Sequence, residues 1–144
     1  MATKVSQSIL YRMATKLVDF ANDSFIIILM NTGFVYNRAT HLLYANVSAN
    51  ELATANGYTQ KTKVLTGVVV AQDDALYKLT VTWSNPQWTA SGGSIGPAAG
   101  AFILDDTVLN DPLVQYIDFS GDKTEPDGGV FTITNPKFEI ATDQ

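Results

Sequence analysis

The chain contains no cysteine, a single histidine and few charged residues. Without cysteine it cannot form a disulfide framework, a thiolate metal site or a cysteine nucleophile. The single histidine, His41, excludes any mechanism or metal site that needs two imidazoles from one chain. Charged residues make up 16% of the sequence, well below the usual quarter, so we expect part of the surface to be neutral and to contact a partner.

Long hydrophobic runs are absent as well. The longest run, residues 25–30, is far too short to cross a bilayer, and it begins too late to be the core of a signal peptide. The net charge of −5 lacks the basic excess that is typical of a nucleic-acid-binding protein. We therefore expect a protein without an export signal that binds neither membranes nor nucleic acids.

One helix is predicted, over residues 6–21. Apolar residues recur there at helical spacing and form one stripe, which is expected to pack on one side of a sheet. The stripe consists of Ile9, Leu10, Met13, Leu17 and Phe20. A separate helical turn is predicted where Ser48 and Glu51 have the spacing of a capping box.

The rest of the chain is predicted to be β-rich. Residues 25–30 are apolar on both faces, which is typical of a strand buried on both sides. Residues 76–83 alternate as in a half-buried strand, with Tyr77 and Trp83 on the apolar face. Further strands are predicted at 64–70, 98–104, 113–119, 130–134 and 137–140. These elements predict a single mainly-β domain over residues 1–144, an antiparallel β-sandwich or barrel with the N-terminal α-helix packed on it.

No group of residues has the spacing of a catalytic site. His41 is expected in an exposed loop, and no serine lies in a G-x-S-x-G motif. The turn that contains Asp105, Asp106, Asn110 and Asp111 offers the oxygen ligands that calcium prefers. Because the spacing is not that of an EF-hand and the central glycine is missing, we interpret this segment as a solvated acidic turn between strands, with a calcium site as the alternative. We predict a protein that is not an enzyme and has no cofactor and no bound metal.

Partner binding is predicted in two irregular segments, residues 34–46 and 84–97. Loops on a rigid β scaffold commonly carry binding residues. Neither segment contains an acidic residue, which favours contact with an acidic neighbour. The candidate interface residues are Phe34, Tyr36, Arg38, Tyr44 and Trp88. For Trp88, which follows a proline, a position in the core is the alternative to a ring exposed on the surface.

Several short segments occur in an order that is similar to a known group of proteins. The apolar strand at 25–30 is followed by ELA and NGYT, by an alternating strand that ends in TVTW, and by a Gly-Gly turn. The remaining segments are 98–104, 111–119 (DPLVQYIDF) and 127–133 (DGGVFTI). Together they resemble small virion structural proteins of tailed bacteriophages, and head-decoration (cement) proteins are nearest in size and character. These are turn and strand motifs, so the resemblance identifies no functional residue.

The resemblance implies a capsid decoration protein that assembles in the host cytoplasm and stabilises the shell. Its partners would be the major capsid protein or other virion proteins. It also implies a homo-oligomer, with three copies as the first expectation, and neutral strands such as 64–70 would need such a cover. A tail, neck or fibre component of the virion is the first alternative. A carbohydrate-binding β-sandwich module that uses Trp88, Tyr36 and Tyr58 is the second.

Overall fold

The computed structural model describes residues 2–141, and these residues are mainly β. The strands are β1 (Ala2–Val5), β2 (Phe25–Asn31), β3 (Lys63–Val64), β4 (Val69–Asp73), β5 (Lys78–Thr82), β6 (Gln87–Thr89), β7 (Ile95–Asp105), β8 (Leu113–Glu125), β9 (Val130–Thr132) and β10 (Lys137–Ala141). One α-helix, α1 (Ile9–Ala14), lies between β1 and β2, and two 3-10 turns, Tyr44–Asn46 and Ser48–Asn50, lie between β2 and β3.

The strands form three antiparallel sheets. The largest has five strands in the order β1-β8-β7-β2-β3, and the second has three in the order β10-β5-β4. β6 and β9 form a two-stranded ribbon. Along β2, the pairing with β7 runs from Phe25 opposite Asp105 to Asn31 opposite Ala98. The prediction of a mainly-β, antiparallel architecture is confirmed.

Both faces of β2, within the five-stranded sheet, are buried, as the apolar run at 25–30 predicted. Alternate β2 residues from Phe25 to Leu29 point into a first core, which also contains Ile9 of α1 and residues of the two smaller sheets. The other β2 residues, from Ile26 to Met30, point into a second core. The segment at 34–47 covers this second core, so the sheet lies between two layers of the same chain.

Close packing between β7 and β8 requires the glycine at position 100. A Cβ atom there would overlap the hydroxyl of Tyr116 and the carbonyl oxygen of Ile117. The ring of Tyr116 instead lies 4.9 Å from the ring of Phe102, centroid to centroid. Gly100 therefore leaves the space in which the Tyr116 ring packs in the second core.

The helix is much shorter than the predicted range of 6–21, because it ends in a Schellman motif. The N–H of Leu17 donates to the carbonyl of Arg12 at 2.8 Å, and the N–H of Lys16 donates to Met13 at 3.2 Å. Lys16 has a φ of +58°, a left-handed conformation that is usually supplied by glycine. Since a lysine occupies this position, the sequence offered no signal for the end of the helix.

The early helix end also disperses the predicted apolar stripe. Ile9 and Phe20 are buried, Met13 is half-buried, and Leu10 and Leu17 are exposed. Phe20 follows the helix rather than belonging to it, and its ring packs on Phe25 and Phe138 with centroid distances of 5.2 and 4.7 Å. The stripe is therefore wrong for Leu10 and Leu17, although the helix does pack on the sheets through Ile9.

Three local predictions also need correction. The predicted strand at 64–70 is two strands in different sheets, because Gly67, with a φ of +66°, turns the chain between β3 and β4. In the segment at 76–83, Trp83 is buried as predicted, but Tyr77 is exposed in the turn before β5. The turn at Ser48 has no side-chain cap, since the side chain of Glu51 points into the protein and forms other hydrogen bonds.

Candidate partner-binding surface

The aromatic residues of the segment at 34–46 hold it against the five-stranded sheet. The rings of Phe34 and Tyr36 lie 5.4–5.6 Å from the rings of Phe102 and Tyr116. His41 stacks on Phe34 at 5.3 Å and is half-buried rather than exposed. The structure thus gives Phe34 and Tyr36 internal contacts and leaves only part of each ring at the surface.

A buried carboxylate, Glu51, fixes the end of this segment. The hydroxyls of Tyr44 and Tyr58 donate to its two oxygens at 2.7 Å, and the N–H of Lys61 donates at 2.8 Å. The Tyr58 hydroxyl also accepts a hydrogen bond from the N–H of Leu29 in β2 at 2.9 Å. Burial raises the pKa of both tyrosines, and the charge of Glu51 adds to the effect. Both hydroxyls therefore remain protonated donors, and Tyr44 belongs to a structural network.

Trp88 lies in the core, the alternative that the sequence left open. Only 4% of its surface is exposed, and it pairs with Phe131 across the β6–β9 ribbon. Its ring lies 5.8 Å from Tyr58 and 5.9 Å from Phe131. Because Tyr58 is buried too, and Tyr36 is half-buried, the aromatic residues proposed for carbohydrate binding form no exposed platform.

Arg38 is the predicted interface residue that remains exposed. It lines a groove of about 310 Å³ together with Leu10 of α1 and Ile140 of β10. Glu139 lines the same groove, so a positive and a negative side chain flank its apolar wall. The structure therefore brings Arg38 next to residues that the sequence had assigned to a helix stripe and a strand.

This groove continues into two others. It shares Ile140 with a groove of about 360 Å³ at the turn between β4 and β5. That groove shares Leu79 with a third, of about 350 Å³, beside α1. We give the name apolar surface to six apolar side chains that line these three grooves. They are Leu10, Met13, Val70, Tyr77, Leu79 and Ile140.

The apolar surface exists because the three-stranded sheet reaches the margin of the first core, where Ile140 still packs against the core with part of its side chain. Val81 of β5 pairs with Phe138 of β10, and both are fully buried. Two residues further along the same face, Leu79 pairs with Ile140, and both are only half-buried. Val70, at the edge of this sheet, is 45% exposed. The same apolar face thus passes from core to solvent within one pair of strands.

Charges of both signs border the apolar surface. Lys78 donates to Glu139 at 2.8 Å, and Lys137 lies 3.0 Å from the same carboxylate. These hydrogen bonds lower the pKa of Glu139, and the bond that Lys78 donates to Glu139 raises the pKa of Lys78. The groove beside α1 likewise contains Lys16 and Asp19. A partner with balanced charges at its rim suits such a surface.

The acidic turn after β7 is not a solvated loop throughout. Asp105 is fully buried, whereas Asp106 is exposed. Asp111 binds Lys61, with Nζ 2.5 Å from Oδ2, so this carboxylate already has a cation. Among residues 2–141 there is no group of three or more histidine or acidic side chains placed to hold a metal ion.

Comparisons with protein-family models, with curated proteins and with solved structures found no match for this chain. Within the part of the chain that the structure describes, no helix is long and apolar enough to cross a membrane. The candidate site therefore depends on the residues of the chain itself.

The sequence missed most of the apolar surface. Leu79 and Ile140 looked like ordinary strand residues, and Leu10 looked like part of a buried stripe. One signal was present, since the low share of charged residues indicated a neutral surface that needs a partner. Composition indicates that such a surface exists, but the sheet that reaches the margin of the core determines where it lies.

Proposed function

We propose that the chain is a structural protein of a tailed-bacteriophage particle. In this proposal it is a capsid decoration protein that binds the outer lattice of major capsid subunits and stabilises the shell. The observation that carries the proposal is the apolar surface, which extends over three adjoining grooves. Contiguous exposed apolar patches on soluble proteins mark interaction sites. The order of motifs that resembles virion proteins supplies the partner.

The architecture supports a binding role. We take the five-stranded and three-stranded sheets, which face each other across the first core, as a β-sandwich. Such a scaffold holds the apolar surface in place, and Arg38 and Glu139 at its rim can pair with opposite charges on a partner. The proposal assigns no catalytic step and no cofactor to the chain.

The stabilising effect would follow from mass action. A protein that binds the assembled lattice, but not its separated subunits, favours the assembled state. When the free concentration of the decoration protein is about 100 times its Kd, binding stabilises the assembled state by about 2.7 kcal/mol for each site. Since a shell repeats the same site many times, even moderate affinity would strengthen it.

The proposal can be tested on particles from which this chain has been deleted. Purified chain is added back, bound protein is measured by co-sedimentation, and its position is found by cryo-electron microscopy. Leu10→Glu places a charge in the groove that Arg38 lines, at a residue that is 55% exposed. Leu109→Glu is the matched control, at an exposed leucine outside the three grooves. We expect Leu10→Glu to bind at least about tenfold more weakly, while both variants melt like the wild type.

Two outcomes would contradict the proposal. Equal binding by both variants would mean that the apolar surface does not contact the particle. Density for the chain at the tail, neck or fibre would reject the decoration role and support the first alternative, a tail, neck or fibre component. Absence of the chain from the particle would reject a virion role altogether.

A further inference from the structure

We propose that β4 pairs in antiparallel fashion with β4 of a second copy of this chain. The two three-stranded sheets would then form one six-stranded sheet about a two-fold axis. This contact does not depend on the virion role, because it rests only on the edge of the sheet and on the residues along it.

β4 is an edge strand with an open backbone. It pairs with β5 from Val69 opposite Thr82 to Asp73 opposite Lys78, without a bulge. Within residues 2–141, the backbone hydrogen bonds of β4 are made to β5 alone. Every second residue therefore points an N–H and a C=O away from the sheet. Such a row of unpaired groups is a template for another strand.

β4 lacks the features that normally protect an edge. Proteins block edge strands with lysine, proline, bulges or very short strands. The other outer strands of the two larger sheets show these features: β1 contains Lys4, β10 contains Lys137 and Glu139, and β3 has only two residues. By contrast, β4 contains neither lysine nor proline, and its one charged residue, Asp73, is the last residue of the strand.

The strand is also complementary to itself. With Val70 opposite Val70 of the second copy, Val69 lies opposite Ala71, so the central pairs are small and apolar. In this register the Asp73 carboxylates of the two copies lie at opposite ends of the contact. The adjoining groove contains Lys16 and Asp19, so it offers both signs of charge to an identical patch. A two-fold contact requires such a surface, because each patch meets its own copy.

The pairing would also orient the apolar surface. Val70 and Leu79 point to the same face of the sheet, since Val70 is opposite Val81 and Leu79 lies two residues away from Val81. A two-fold axis perpendicular to the joined sheet keeps this face of both copies on one side. Two binding sites would then approach a repeating partner together, which strengthens attachment beyond that of one site.

The mass of the protein in solution tests the proposal. We expect sedimentation equilibrium of the wild type to give twice the chain mass of 15.6 kDa at high concentration. Val70→Lys puts a charge at the centre of the contact and should weaken self-association at least about tenfold. Val130→Lys is the control, because Val130 is also an exposed strand valine, at 44% against 45% for Val70. It should leave the dimer unchanged.

A monomeric wild type would overturn the proposal. So would three copies, the number that the resemblance implies, or a dimer that Val70→Lys leaves intact. If Val70→Lys does not fold, hydrogen exchange of the wild type decides instead. We expect amides of Val69–Asp73 to exchange more slowly in concentrated than in dilute protein, and equal rates would refute the contact. A dimer that fails to bind particles would retain this inference and reject only the virion role.

Discussion

The buried carboxyl of Asp105 allows a sharp test of the energetics of the fold. Asp105 is the last residue of β7 and is 0% exposed. One of its oxygens accepts a hydrogen bond from the N–H of Thr107 at 2.9 Å, and the other has no donor among residues 2–141. The neighbouring carboxyl of Asp23 can bond to that oxygen only if one of the two acids keeps a proton. Burial, followed by the hydrogen bond and charge of Asp23, raises the pKa of Asp105 to about 7.

The sign of the effect follows from proton linkage. The usual pKa of such a group is 3.8, so the folded protein holds a proton that the unfolded chain releases between about pH 4 and pH 7. The free energy of unfolding contributed by Asp105 therefore falls as the pH rises through this window. Each pKa unit corresponds to about 1.4 kcal/mol, which sets an upper limit of about 4 kcal/mol. Because part of this shift comes from the interaction with a neighbouring acid, we expect about 2–4 kcal/mol.

Asp105→Asn should remove this loss of stability at high pH, since the amide has the shape of the protonated acid and can donate a hydrogen bond to Asp23. We expect the variant to be about 2–4 kcal/mol more stable than the wild type at about pH 8, and similar to it at about pH 4. Urea denaturation followed by the fluorescence of the buried Trp83 and Trp88 measures the difference. Asp106→Asn, at the exposed neighbour, is the control and should change stability by less than about 0.5 kcal/mol. Lower stability of Asp105→Asn at pH 8, or a difference independent of pH, would refute the reasoning.

Two further changes test the packing of the fold by urea denaturation. Ile9→Ala should lower the free energy of unfolding by about 2–5 kcal/mol, because Ile9 is fully buried in the first core. Leu17→Ala should lower it by less than about 0.5 kcal/mol, because Leu17 is exposed. Equal losses for the two variants would mean that the helix end is misplaced. Glu51→Gln should cost about 1–3 kcal/mol, since an amide nitrogen would face one of the hydroxyl or N–H donors that now bind the carboxylate. An unchanged midpoint for Glu51→Gln would show that this network does not stabilise the protein.

The strands could be predicted where the pattern of side chains reflects burial directly. The run at 25–30 is apolar throughout and is buried on both faces, so its prediction is confirmed by β2. The helix could not be placed in the same way, because the residue that ends it, Lys16, adopts a left-handed conformation that its side chain does not favour. Composition and spacing report average preferences, and tertiary contacts decided this position.

The buried acids show a second limit of the sequence. Glu51 and Asp105 both occur in stretches that look like exposed turns, yet both are buried. Glu51 is buried with donors that come from Tyr44 and Tyr58, seven residues away on either side. A carboxylate is taken out of water only where such partners meet it. Since partners separated along the chain create that environment, the sequence around each acid does not reveal it.

The apolar surface shows why the strands could be predicted from the sequence but the candidate binding site could not. Val81 and Leu79 occupy equivalent places in one alternating strand, and the sequence correctly predicts that they share a face. Their environments differ because Val81 lies over the first core, whereas Leu79 lies at the margin of that core. Alternation therefore predicts which face of a strand is apolar, but the rest of the chain decides whether that face is covered. Leu79 and Ile140 are only half-buried, so a cover from another molecule would remove from water the apolar area that a larger core would have removed.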